Sequence, residues 1–277
     1  MTDIQHDQFI LEAILAGGVK LPPLPKALFE LADLDKDAEA GLREYARVIG
    51  RDPGLAGAVF RVAGSPVFGL RAKADTLDKA VTLLGVRTTL AIAYGEALRQ
   101  GFNDPGLQSV LAALWQRAAK VAETMVVVQR ALRLRSVSQD QAMMLGLFHD
   151  CGVAVACRRY PSYAEALAKA ARWPDLASLD RAHQTDHAVI GQMVARNWQL
   201  PPAITQTIRW HHTTNPAALP QPEVTLVVLL QFALHLCNLR RGDKDAEWAR
   251  WRPLVLGRLV EDEASLAALE RELSAPV

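Results

Sequence analysis

The chain has 277 residues, of which 50% are hydrophobic and 22% are charged. This composition is typical of a globular protein with a sizeable core, and it excludes a disordered tail protein. Because 31 basic residues stand against 30 acidic ones, the net charge is only +1, which argues against nucleic acid or an acidic membrane surface as a general partner.

Sorting signals and cysteine motifs do not stand out in the sequence. The polar N-terminus lacks the apolar stretch of a signal peptide, and the three cysteines form no CxxC pair. The most apolar stretch, residues 224–236, is shorter than a bilayer-spanning helix. We therefore expect a soluble cytoplasmic protein with reduced cysteines and no membrane partner.

Helical periodicity marks the first half of the chain. Three prolines between residues 22 and 25 separate an N-terminal helix from the next one. Apolar residues at three- and four-residue spacing predict two short helices between residues 28 and 49. Asp52 with Pro53 places a proline at the favoured first position of another helix. The Asn-Asp-Pro-Gly sequence at residues 103–106 is the strongest break, so we expect a boundary between two helical lobes there.

The second half continues the helical pattern. Apolar residues from Leu111 to Leu132 follow one helix face. Residues 224–230 are β-branched enough for a strand, but their apolar continuation to residue 239 favours a buried helix. The charge-dense segment 240–252 is typical of a solvated face or linker. Since no hairpin pattern occurs, the sequence predicts an all-α fold.

One pair of predicted helices has the dimensions of a helix-turn-helix. Residues 42–49 and 55–63 flank a turn at residues 50–54, and three arginines are available there: Arg47, Arg51 and Arg61. Five acidic side chains between residues 33 and 44 would repel DNA phosphates. Helix packing is therefore the favoured interpretation, with DNA binding as an alternative.

Histidines and one aspartate provide the candidate site. Five residues in apolar helical surroundings form the set: His149, Asp150, His187, His211 and His212. Imidazoles and carboxylates drawn from several helices are what a hydrolytic metal site needs, because the metal lowers the pKa of a bound water. The alternative is that His149 and Asp150 form a buried hydrogen-bonded pair, and the residue types alone favour this alternative.

The order of several segments resembles one known family. The first part of the chain contains LPPLPKALFELADL, YARVIGRDPGLAGAVFRVAGSPVFGL and LDKAVTLLGVRTTLAIA. The second part contains LWQRAAKVAETM, GLFHDCGVAV, TDHAVIGQMVARNWQLP and IRWHH. In this order, from residue 21 to residue 239, the segments resemble the HDOD family of bacterial signalling domains, which are relatives of the HD metal-phosphohydrolases.

The resemblance implies two packed helical lobes, of which the second is like the metal-binding core of the HD phosphohydrolases. It divides the chain into an N-terminal helix, a first lobe, an HD-like lobe and a C-terminal helical extension, at residues 1–20, 21–105, 106–240 and 241–277. His149 and Asp150 match the doublet that names the superfamily. His187, His211 and His212 match further metal ligands.

Three positions depart from the catalytic pattern that the resemblance implies. Arg117 stands where a ligand histidine is expected, Asn238 where an aspartate is expected, and Val153 in place of a lysine. Arginine does not ligate metals and asparagine ligates them poorly. We therefore expect a vestigial site without a metal cofactor, in which Arg117 pairs with Asp150 in the metal's place. A retained divalent metal and a solvated Arg117 are the alternatives.

These features predict a non-catalytic module of bacterial signal transduction that regulates through interactions with other signalling proteins. The alternative is a metal-dependent phosphohydrolase acting on a nucleotide or cyclic dinucleotide. In that case His149, Asp150, His187, His211 and His212 would form the active site.

Overall fold

The structure, a computed structural model, describes residues 3–68, 74–216, 219 and 223–274. Over these ranges the chain forms α-helices joined by loops and two short 3-10 turns, without a β-strand, which confirms the predicted all-α class. Residues 69 and 70, which end one motif of the resemblance, and residues 275–277 of the predicted extension lie outside the described part.

The N-terminal half begins with α1 (Asp3–Ala16) and continues with the first lobe: α2 (Lys26–Leu34), α3 (Leu42–Ile49), α4 (Pro53–Ala63), α5 (Leu77–Leu84) and α6 (Val86–Gly101). Helix α4 begins where Asp52 and Pro53 predict. The Asp52 carboxylate accepts hydrogen bonds from the backbone N–H groups of Gly54 (2.8 Å) and Leu55 (3.0 Å). Gly85, with φ of 77°, separates α5 from α6 in a conformation that costs glycine little.

The second lobe contains eight helices: α7 (Gln108–Ala131), α8 (Gln139–Phe148), α9 (Cys151–Arg159), α10 (Pro161–Lys169), α11 (Leu176–Ala182), α12 (His187–Asn197), α13 (Pro202–Trp210) and α14 (Glu223–Arg241). Helix α7 confirms the prediction from the apolar face of residues 111–132. Helix α8 packs along α7 and reaches α6 of the first lobe, while α12 packs against α9 and α13. These contacts bring the ends of α8, α12 and α13 together.

Helix α14 lies at the centre of the second lobe, which confirms helix over strand for residues 224–230. Among the described residues it is the one helix long and apolar enough to cross a membrane, so the expectation that this segment is too short was wrong. However, 72% of its apolar window is buried inside the protein. A core helix passes the same test of length and composition.

Helix α1 packs on the second lobe rather than extending from the first. His6 Nε2 lies 3.1 Å from Asp186 Oδ2, and the Arg209 guanidinium binds both carboxylate oxygens of Asp7 through Nε, at 3.0 Å each. The chain then crosses back over Trp198, whose indole N–H donates to the Pro22 carbonyl at 2.9 Å. The N-terminal segment therefore fastens α12 and α13 from outside.

The C-terminal helices α15 (Trp248–Arg258) and α16 (Glu263–Ser274) pack against α14. The preceding segment only partly matches the prediction that residues 240–252 form a solvated face or linker, because most of its basic residues are exposed while its acids are largely covered. The side chains of Asp243, Asp245 and Glu247 are only 9%, 14% and 16% exposed, and Trp251 is fully buried. These acids are buried because each one pairs with a histidine or an arginine of the second lobe, which charge density alone does not reveal.

Candidate metal site

His149 and Asp150 occupy the junction between α8 and α9, and both are buried. The close approach of α12 holds this junction in place. A Cβ added to Gly152 would collide with the His187 carbonyl oxygen and the Gly191 nitrogen, so only glycine allows the two helices this close. The backbone of α12 therefore brings His187 directly over Asp150.

The carboxylate of Asp180 orients His187, and it accepts three hydrogen bonds. Asp180 Oδ2 accepts from the His187 backbone N–H at 2.9 Å and from its Nδ1 at 2.6 Å, while Asp180 Oδ1 accepts from the Tyr163 hydroxyl at 2.9 Å. Asp186 caps α12 by accepting from the N–H groups of Ala188 and Val189. Because the carboxylate of Asp180 accepts at Nδ1, the Nε2 atom of His187 faces the site.

The other histidines are oriented in the same way. His149 Nδ1 donates to the Gly146 carbonyl at 2.8 Å, and His211 Nδ1 donates to the Ile208 carbonyl at 2.6 Å. His212 Nδ1 is 2.5 Å from Glu247 Oε2. Carbonyl and carboxylate oxygens can only accept, so each ring carries a proton on Nδ1 and directs its Nε2 atom into the site.

The Nε2 atoms of the four histidines converge on Asp150. The Nε2 atoms of His149, His187, His211 and His212 are all buried without a hydrogen-bond partner. Asp150 Oδ1 lies 3.4 Å from His187 Nε2 and 3.6 Å from His211 Nε2, and Asp150 Oδ2 lies 3.1 Å from His149 Nε2. Single ligand atoms of Asp150, His187, His211 and His212 all lie within 4.8 Å of one another.

The electrostatics of the cluster match this geometry. Burial alone would raise the pKa of Asp150, but the charge of His149 and the imidazoles of His187 and His211 bring it well below its ordinary value. Burial, together with the neighbouring His212, lowers the pKa of His211 to about 4. Asp150 is therefore ionised and His211 is neutral at pH 7, as metal ligands need to be. Burial would lower the pKa of His187, but the carboxylates of Asp180 and Asp150 raise it well above its ordinary value, so a metal ion bound at His187 would displace a proton.

The donor set fits a divalent metal ion. Three imidazole nitrogens and one carboxylate oxygen suit a transition metal such as zinc or iron. A buried nitrogen without a partner is costly, and here four occur in one place. Histidine ligands typically donate their other ring N–H to a carboxylate or carbonyl, as all four rings do here. Asp150, His187, His211 and His212 would hold the ion, with His149 against the far carboxylate oxygen.

Arg117 and Asn238, two of the three departing positions, do not replace the metal. The predicted Arg117–Asp150 pair was wrong, because within the described residues Arg117 has no carboxylate at ion-pair distance and Asp150 is already surrounded by imidazoles. Instead the Arg117 guanidinium lies 5.8 Å from the centre of the Trp173 ring. Asn238 lies beside the site, where it lines the small cavity together with Asp245.

The C-terminal segment closes the site from the side of His212. A cavity of about 90 Å³ adjoins Asp150 and His212, and Asp245 and Glu247 form part of its wall. Asp245 in turn pairs with His235 at 3.2 Å. The sequence reading missed Asp180 and Glu247. Asp180 was detectable as a carboxylate seven residues before His187, whereas Glu247 is 35 residues from His212 and carries no local signal.

Comparisons with known proteins agree with this architecture. The HDOD domain model matches residues 21–214. An uncharacterized protein of Treponema pallidum (strain Nichols) is 26% identical over 244 residues, which are 83% of this chain and 45% of that protein. The chain therefore spans less than half the length of that relative.

Three solved structures share the fold. An HDOD domain protein of unknown function from Geobacter sulfurreducens has a TM-score of 0.67 at 20% identity, covering 98% of this chain and 99% of that one. A proposed metal-dependent phosphohydrolase from Shewanella amazonensis has a TM-score of 0.68 at 16% identity, covering 97% of this chain and 98% of that one. A proposed signal transduction protein from Marinobacter aquaeolei has a TM-score of 0.67 at 21% identity, covering 98% of this chain and 63% of that one. Since the family model covers most of the chain, this protein belongs to the HDOD family.

Proposed function

We propose that this protein is a regulatory domain of signal transduction that binds one divalent metal ion, acts through other proteins and has no phosphohydrolase activity. Family membership supports the regulatory role, as does the likeness to the Marinobacter protein named for signal transduction. The cluster of unpartnered Nε2 atoms around Asp150 supports the metal, in place of the sequence-based expectation that none binds.

The size of the cavity at the site carries the non-catalytic part of the proposal. Its volume is about 90 Å³, enough for a few water molecules. Small-molecule pockets measure about 300–1,000 Å³, so a nucleotide does not fit beside the metal ligands. Glu247, hydrogen-bonded to His212, forms part of the wall of this cavity. The metal would then organise the lobe rather than activate a water for attack on a substrate.

A metal-dependent phosphohydrolase is the second candidate, favoured by the same ligand cluster and by the name of the Shewanella neighbour. Loss of ligands at Arg117 and Asn238 argues against it. Helix-turn-helix DNA binding has less support, because Arg51 pairs with Glu30 and Arg61 with Glu96.

Turnover by metal-loaded protein distinguishes the first two candidates. Wild type, Asp150→Asn and the exposed control Asp33→Asn would be incubated with nucleoside monophosphates, cyclic dinucleotides and p-nitrophenyl phosphate, with zinc, iron or manganese. We expect equal background rates for all three proteins. Hydrolysis by wild type and Asp33→Asn that disappears in Asp150→Asn would establish the phosphohydrolase instead.

A further inference from the structure

A second cavity lies between α7, the end of α10 and the end of α14. Its volume is about 790 Å³, which falls within the range of small-molecule sites. It is separate from the metal ligands, none of which lines it. Arg117 and Trp173 line both this groove and the small cavity beside Asp150.

The lining of this groove is strongly cationic. It contains five basic side chains and no carboxylate: Arg117, Lys120, Arg172, Arg240 and Arg241. Outside the groove, Glu123 pairs with Lys120, and Asp243 is shared by Arg172 and Arg241. Within the described residues neither Arg117 nor Arg240 has a carboxylate at ion-pair distance. Within the part of the chain that the structure describes, the charges of Arg117 and Arg240 are therefore not balanced by a carboxylate.

Two donors in the groove lack acceptors. The Nε atom of Arg117 and the indole nitrogen of Trp173 are buried without a hydrogen-bond partner. Both nitrogens are buried, so a ligand oxygen would reach them only if the two side chains moved. The Arg117 guanidinium faces the Trp173 ring at 5.8 Å, and Val110 and Leu167 add apolar surface nearby. The groove thus places an aromatic face and an apolar wall next to guanidinium groups.

We propose that this groove binds a nucleotide. Guanidinium and ammonium groups bind phosphate oxygens through charge-assisted hydrogen bonds, and an aromatic ring stacks on the planar base of any nucleotide. The volume accommodates a nucleoside diphosphate, whereas the cavity at the metal site does not. The inference does not depend on the metal, because no metal ligand lines the groove.

Calorimetric titration of the metal-loaded full chain with ADP and GDP tests this proposal, at low ionic strength because salt screens exposed charges. Lys120→Glu reverses a charge in the groove. Lys36→Glu is its matched control on the first lobe: the two lysines are 72% and 76% exposed, and each lies 3.0 Å from the carboxylate of a residue three positions away in the sequence.

We expect saturable binding of at least one nucleotide, weakened about tenfold or more by Lys120→Glu, since a charge-assisted hydrogen bond contributes enough for that factor. Lys36→Glu should bind like wild type, and Trp173→Ala should lose nucleotide affinity while remaining folded. Three results would overturn the proposal. The first is that no nucleotide binds at about 1 mM. The second is that Asp150→Asn abolishes nucleotide binding while Lys120→Glu leaves it unaffected. The third is that inorganic phosphate competes as strongly as ADP.

Discussion

Single residues that do not bind the metal determine how the ligand histidines face the site. Asp180 satisfies the backbone N–H and Nδ1 of His187 and also the hydroxyl of Tyr163. A carboxylate at Nδ1 fixes the ring and raises the basicity of the opposite nitrogen. Replacing Asp180 with asparagine therefore removes a charge that supports His187 while the metal ligands themselves stay in place.

Asp180→Asn should weaken metal binding while the protein stays folded. Asparagine keeps the size of the side chain but loses the charge that supports His187, so we expect metal affinity to fall about 10–100-fold. Competition with a coloured chelator measures this affinity. Glu165→Gln, an exposed carboxylate on α10, is the control and should match wild type. Unchanged affinity in Asp180→Asn would mean that His187 does not ligate.

The residue types of the site could be read from the sequence, but their orientations could not. His149, Asp150, His187, His211 and His212 were candidates because polar groups interrupt apolar helices. The structure brings Asp150 and three of these histidines within ligand reach and puts His149 on the far oxygen of Asp150. Arg117 was assigned to Asp150 because a sequence position does not reveal that the side chain turns toward Trp173.

At the scale of helices, the contact between α9 and α12 sets the distance between Asp150 and His187. Gly152 and Gly191 allow this contact, and a side chain at Gly152 would meet the backbone of α12. The apolar surroundings of Asp150 and His187 indicate helices, but they do not show that the two helices touch through glycines.

Gly152→Ala should destabilise the protein by about 1–3 kcal/mol or more, because the added methyl group forces the helices apart. Gly257 provides the control: it lies in α15 with nothing near its missing Cβ, so Gly257→Ala should be neutral or stabilise by up to about 1 kcal/mol. Urea denaturation measures both. Equal stability of the two variants would show that the α9–α12 contact can relax.

The segment before α15 makes a pH-dependent contribution to stability. Burial would raise the pKa of Asp245, but its hydrogen bond and charge interaction with His235 hold that pKa below its ordinary value. A lowered pKa in the folded state contributes stability that is present above the ordinary aspartate pKa and is lost as the pH falls through the lowered value.

Asp245→Asn should therefore be less stable than wild type at pH 7 and at pH 5. The difference should shrink below about pH 4, where the unfolded-state aspartate takes up protons. Thermal unfolding across this pH range measures it, with Asp33→Asn as the exposed control. A difference that stays constant down to pH 2 would exclude a charge effect of Asp245.

For the whole molecule, the all-α class and most helices followed from apolar spacing, proline positions and the break near residue 103. The docking of α1 on the second lobe and the closure of the site by residues 243–247 could not be predicted from these patterns. Both depend on ion pairs between distant parts of the chain, such as Arg209 with Asp7 and His212 with Glu247. Local patterns carry no information on such partners.

Bound metal should stabilise the entire second lobe, because ligands from several helices meet at one ion. A ligand that binds only the folded state at 100 times its Kd adds about 2.7 kcal/mol to the free energy of unfolding. Chelator should therefore lower the unfolding midpoint of wild type and leave Asp150→Asn unchanged. An equal shift in both proteins would point to an effect outside the site.

The most direct test is the metal content of the protein purified without chelator, measured by elemental analysis after dialysis against metal-free buffer. The ligand geometry predicts about one transition-metal ion per chain in wild type, as in a four-ligand site, and in the control Asp33→Asn, with none retained by Asp150→Asn. Wild-type protein that stays free of metal even after loading with zinc, iron and manganese would contradict the metal site.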